Sequence, residues 1–135
     1  MLKNAALAFG AVFILIGILG FIPAVTPEGR LLGIFAVDAL HNIVHLLSGV
    51  VALGVAFTSE EASRLYFKIF GVIYAAVALL GLFYGDRALL GIMAHNWPGF
   101  WLHLVSAAVA LYLGFATDTT DAAHRRTSAV DRASD

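Results

Sequence analysis

The residues able to do chemistry are few, and most are imidazoles. The chain holds five histidines, and His41 and His45 stand four positions apart. On a helix that spacing puts both rings on one side, where they can share one divalent ion. His103 lies in a later apolar stretch. If its helix faces that of His45, the two rings could also be the axial ligands of a b-type haem. Asp38, Asn42 and Asn96, with His95, complete the polar residues set among apolar ones. Three chemistries fit this set. One is a buried His/Asn/Asp hydrogen-bond network that fixes helix register. Another is a metal or haem redox site on His41, His45 and His103. The last is a conduit for protons or a small solute, in which Asp38 is the natural titrating group. An enzymatic reading lacks its motifs. His41-Asn42-Ile43-Val44-His45 has no glutamate after the first histidine, as H-E-x-x-H proteases require. No nucleophile elbow or phosphate loop occurs, and the apolar stretches carry too few carboxylates for a di-iron bundle.

These residues need elements to hold them, and composition says which. Apolar types make up 61% of the 135 residues and charged types 13%, against about 25% charged in a soluble domain. Mean hydropathy is +0.90. The net charge of −1 leaves no basic surface for nucleic acid. The absence of cysteine excludes disulfides, thiolate metal sites and iron–sulfur clusters. Four stretches, 2–22, 31–57, 65–84 and 89–116, are long enough to cross a bilayer, which takes about 20 helical residues. In hydrocarbon each must satisfy its own backbone groups, so helices are expected. The first stretch exceeds a signal-peptide core and is expected to be retained. The intervening turns, marked by Pro23, Pro27 and Gly29, by residues 58–63, and by Gly85, Asp86 and Arg87, are expected to be short. An all-α, up-down-up-down four-helix membrane bundle follows, forming one domain over 1–116.

The chain also repeats itself. At an offset of 58, residues 31–53 and 89–111 share eleven identities in 23 positions, including Leu31-Leu32-Gly33-Ile34 with Leu89-Leu90-Gly91-Ile92, and His45 with His103. Asp38 falls opposite Asn96. A weaker match at an offset of 61 pairs Phe9-Gly10 with Phe70-Gly71 and Leu19-Gly20 with Leu80-Gly81. Two tandem hairpins, about 1–58 and 62–116, are expected to be related by a pseudo-two-fold axis along the membrane normal. Projected as a helix, Asp38, His41, Asn42, His45, Ser48, Gly49, Ala52 and Ala56 fall on one stripe about 120° wide. Asn96, His103, Ser106, Ala107, Ala110 and Gly114 form its counterpart. Gly10, Gly17 and Gly20, with Gly71, Ala75, Ala78 and Gly81, supply small residues on the other two helices. That stripe is expected to be the bundle interior, with His45 and His103 facing each other about 18 Å from the cytoplasmic end.

Lys3, Arg64, Lys68, Arg125, Arg126 and Arg132 lie on one side of the predicted spans, Arg30 and Arg87 on the other. This bias places both termini in the cytoplasm and the protein in the cell's inner (plasma) membrane. Trp97, Trp101 and Tyr84 read as interfacial anchors, and Tyr66, Glu60 and Glu61 as interfacial and solvated. Residues 117–135 read as a disordered cytoplasmic tail. The favoured reading is a non-enzymatic structural or accessory protein, its partners the lipid bilayer and the subunits of a larger membrane complex.

The strings Leu32-Gly33-Ile34-Phe35 and Leu40-His41-Asn42-Ile43-Val44-His45-Leu46-Leu47 with Gly49, and the later Trp101-Leu102-His103-Leu104, resemble the signatures of the bacterial and archaeal family called domain of unknown function 4383. The resemblance covers nearly all of residues 5–116. It implies a four-span membrane protein and brings no activity. Two departures stand out: Asp38 occupies a place where the family suggests Asn, and 95–100 lacks an Asn/Asp-rich segment.

Overall fold

The computed structural model describes residues 1–116, so the tail at 117–135 lies outside the described residues. Four helices carry the fold: α1 (Leu2–Leu19), α2 (Ala39–Thr58), α3 (Glu60–Tyr84) and α4 (Trp97–Leu111), the last continued by a wider π-helical turn at Tyr112–Ala116. All four are long and apolar enough to cross a membrane, α4 with its extension. The fold is all-α apart from two antiparallel two-residue strands, β1 (Arg30–Leu31) and β2 (Phe35–Ala36).

The helix limits differ from those expected from hydropathy. α2 begins at Ala39 rather than at 31, and α4 at Trp97 rather than at 89. Residues 31–37 and 89–94 are apolar, but their backbone reverses. Leu32 and Gly33 have φ of 54° and 73°, and Leu90 and Gly91 have 52° and 73°. Two successive left-handed residues make the tight turn that twisted antiparallel chains favour. Accordingly Arg30 pairs with Ala36 and Leu31 with Phe35 around the first turn, and Leu89 bridges Met93 around the second. The connections over 20–38 and 85–96 are thus long and ordered rather than short. Asn96-Trp97-Pro98 starts α4, with Pro98 in its first turn, where a missing N–H costs nothing. α1 ends at Leu19, and α3 begins at Glu60, earlier than expected. Only Ser59 separates α2 from α3, and its hydroxyl caps α3 by accepting from Ala62 N at 3.0 Å.

α1 lies along α2 and α3 along α4, and glycine sets how closely. A Cβ built on Gly49 would stand 2.8 Å from the Gly10 carbonyl, and one on Gly10 2.9 Å from the Gly49 carbonyl. The second pair repeats the device: a Cβ on Gly71 would meet Leu111 N at 2.9 Å, and one on Gly114 would meet Lys68 N at 2.8 Å. In hydrocarbon such close approach drives helix association, because burying apolar surface gains little there. Asn42, His45, Gly49, Ala52 and Ala56 of α2 are buried, as are His103, Ala107, Ala110 and Gly114 on the α4 side, while Ser48 and Ser106 are half-buried.

Between the two helix pairs sits a stack of rings. Phe9 and Phe13 stack at 4.6 Å, Phe70 and Tyr74 at 3.8 Å, and Phe9 meets Phe67 edge-on at 5.6 Å. Tyr66 belongs to this cluster and is buried, not solvated; its hydroxyl donates to the Ser48 carbonyl at 3.1 Å, which satisfies the polar end of an otherwise apolar ring. Glu60 has a structural task, accepting from Leu2 N at 2.8 Å and so capping the start of α1.

Gly49→Val should therefore force α1 and α2 apart and destabilise the protein by about 1–3 kcal/mol. Gly54→Ala should be neutral or slightly stabilising, since its Cβ would meet nothing within 4 Å. Thermal melts of both variants in one detergent check the contrast.

Candidate functional site

The site is built on the first turns of α2 and α4, and each is capped by its own polar residue. Asp38 Oδ1 accepts from His41 N at 2.8 Å, and Asn96 Oδ1 accepts from Gly99 N at 3.1 Å. Both side chains also reach across the bundle. Asp38 Oδ2 accepts from Ala94 N, in the connection that precedes α4. Asn96 Oδ1 accepts from Ala36 N at 3.2 Å, in the connection that precedes α2, and its Nδ2 donates to the Ile34 carbonyl at 2.7 Å. Each helix start thus holds the backbone that leads into the other. Residue type follows partner: the carboxylate at 38 has only N–H groups to meet, while the amide at 96 meets two N–H groups and a carbonyl.

His41 finishes the grip on Ala94. Its Nδ1 lies 3.0 Å from the Ala94 carbonyl, which can only accept, so Nδ1 carries the proton. That leaves His41 Nε2 with a lone pair, 3.2 Å from Nε2 of His45. His103 comes from α4, its ring centroid 5.5 Å from that of His41 and 6.2 Å from that of His45. All three are buried, and their ligand atoms lie within 4.8 Å of one another. His103 Nδ1 is buried with no hydrogen-bond partner among the described residues. Phe13 packs edge-on against His45 at 5.2 Å and Tyr74 against His103 at 5.5 Å, so the aromatic stack closes the site on one side.

The other polar residues go elsewhere. Asp38 is not within α2 but is its cap, and it touches the histidines only through the backbone of Ala94 and His41. Asn96 likewise works in the cross-bundle hydrogen bonds. Asn42 is buried against Gly20, which has no side chain to obstruct it. His95 fits against Gly81, with Nδ1 2.7 Å from the Gly85 carbonyl. The backbone of Ala94, Ala36 and Ile34 carries half of the cross-bundle bonding and leaves no mark in residue types. The caps do leave one, a short polar residue at the head of an apolar helix, followed in one case by Trp-Pro.

The family model described as Domain of unknown function (DUF4383) matches residues 3–116. The chain belongs to this family. The match takes in every residue of the histidine cluster and both caps of this DUF4383 member. No curated protein and no solved structure matches the chain.

Asp38→Ala would strand His41 N and Ala94 N, and Asn96→Ala would strand Gly99 N, Ala36 N and the Ile34 carbonyl. Each should cost about 2–4 kcal/mol, the sum of a lost cap and a buried unpaired group. Because either residue alone still ties the two connections together, the double variant should lose more than the two single losses added. A double-mutant cycle in detergent melts tests this, and strict additivity would show that the two residues act independently.

Proposed function

We propose that this protein is a small membrane-embedded metal-binding protein, with one divalent transition ion held by His41, His45 and His103. The observation that carries the reading is the convergence of three buried imidazoles from two helices, with ligand atoms within 4.8 Å of one another. Tetrahedral coordination with metal–nitrogen bonds of about 2.0–2.1 Å puts ligand nitrogens about 3.3 Å apart. The Nε2 atoms of His41 and His45 stand at 3.2 Å. The bond from His41 Nδ1 to the Ala94 carbonyl is the outer contact that metal-binding histidines use to fix tautomer and ring orientation. An all-imidazole set suits Zn²⁺, Cu²⁺, Ni²⁺ or Fe²⁺ better than Mg²⁺ or Ca²⁺.

The haem variant of this reading is less well supported. His41 lies against both other rings, and the space beside the three is only about 110 Å³, whereas sites for drug-sized molecules run to about 300–1,000 Å³. A proton conduit through Asp38 is also disfavoured, because both carboxylate oxygens are engaged by backbone N–H groups. The packing role expected of the whole polar network falls to Asp38 and Asn96, and the three histidines are left for a ligand. In this reading the bundle sits in the plasma membrane with both termini cytoplasmic, as the Lys/Arg bias suggests. The two halves are related by a pseudo-two-fold axis along the membrane normal, which agrees with the matching turns at Leu32-Gly33 and Leu90-Gly91 and the reciprocal caps.

Detergent-purified protein loaded with Co²⁺ should bind one equivalent and show the intense visible bands of a tetrahedral site. His41→Ala and His103→Ala should each weaken Zn²⁺ binding by more than about 100-fold, beyond the loss usual for an outer contact. Protein that takes up no stoichiometric metal, or variants that bind as well as the parent, would defeat the reading.

A further inference from the structure

The three histidines line one side of a pocket of about 110 Å³, whose remaining wall includes Phe35 and Val37 from the first connection and Gly99 and Leu102 from α4. We infer that this pocket holds a small monoanion as the fourth ligand of the bound ion, an inference that rests on the metal reading above. Three imidazoles leave a four-coordinate ion one open position, the arrangement of sites that bind exchangeable ligands rather than closed structural ones. The pocket is the space that all three rings share, so the open position faces it.

Its shape has a sequence cause. At the offset of 58, the position matching His41 is Gly99. The first half places an imidazole there and the second places no side chain at all, which leaves room where a fourth protein ligand would otherwise stand. The volume suits a few waters or a ligand of three or four atoms, since water takes about 30 Å³. It is too small for a lipid headgroup.

Charge selects the class of ligand. Three neutral imidazoles leave the ion's two positive charges intact inside an apolar wall, and no Lys, Arg, Asp or Glu lines the pocket. Asp38, three residues before His41 and joined to it through Ala94, supplies one compensating negative charge. One positive charge remains, and in a low-dielectric setting an unpaired charge is strongly disfavoured. A monoanion in the open position brings the site to neutrality; a neutral ligand does not, and a dianion overshoots. The apolar remainder of the wall favours a weakly hydrated anion over a strongly hydrated one.

The test is a titration of the Co²⁺-loaded protein in detergent with sodium azide, read in the visible bands, with sodium sulfate at equal ionic strength as the dianion control. The expected result is a saturable, one-equivalent shift with azide and none with sulfate. Val37→Phe, which fills the pocket from its apolar wall and leaves all three histidines in the chain, should keep the Co²⁺ bands and weaken azide at least tenfold. Co²⁺ bands that azide leaves unchanged, or an azide response undiminished in Val37→Phe, would overturn the inference and leave the metal site standing. A complete lack of Co²⁺ bands would overturn both.

Discussion

The structure depends on two polar side chains that each serve two masters. Asp38 caps α2 and holds the backbone leading into α4, and Asn96 caps α4 and holds the backbone leading into α2. A helix start leaves unpaired N–H groups that water would ordinarily satisfy. In an apolar bundle those groups must find protein partners, and here the same atoms that answer them also join the two halves. Capping and assembly are thus one event.

The placement of the histidines follows from this. His45 lies seven residues beyond Asp38, and His103 seven beyond Asn96. Seven residues is two helical turns, about 10 Å. Once the two caps are tied together, two rings at equal distance from them arrive at the same level, and their centroids stand 6.2 Å apart. His41, one turn closer to the cap, meets the same centre from above and is oriented by the carbonyl of the residue whose N–H Asp38 holds. The glycines of α1 and α3 let the helix pairs close around this arrangement, and the Phe and Tyr stack fills the remaining space toward Glu60 and Ser59.

Much of this was legible in the residues, though unevenly. Number, order and apolar character of the helices follow from hydropathy, and the interior face follows from the spacing of Asn42, His45, Gly49, Ala52 and Ala56, because a helix fixes which side chains share a face. The helix starts are hidden, since residues 31–37 and 89–94 are as apolar as a helix would be; only the left-handed backbone at Leu32-Gly33 and Leu90-Gly91 removes them. Asp38 and Asn96 therefore read as interior residues of helices, where the structure has them as caps. The burial of Tyr66 is not legible, because a tyrosine near a turn gives no sign of whether its hydroxyl finds water or, as here, the Ser48 carbonyl. The meeting of three imidazoles needed coordinates, because it depends on how α2 and α4 are rotated relative to each other.

The two turns hold a further consequence. Leucine in a left-handed backbone is unfavourable by about 1–2 kcal/mol, and glycine, which stands next in line at 33 and 91, would bear that conformation without penalty. Yet Leu32 and Leu90 keep their side chains there, 64% and 63% exposed, and the turns are held closed by hydrogen bonds, Leu32 N to the Val25 carbonyl at 2.8 Å and Leu89 N to the Met93 carbonyl at 2.9 Å. The two loop tips thus present an apolar side chain outward at matching places after α1 and α3, each aimed there by a backbone that its own turn holds closed.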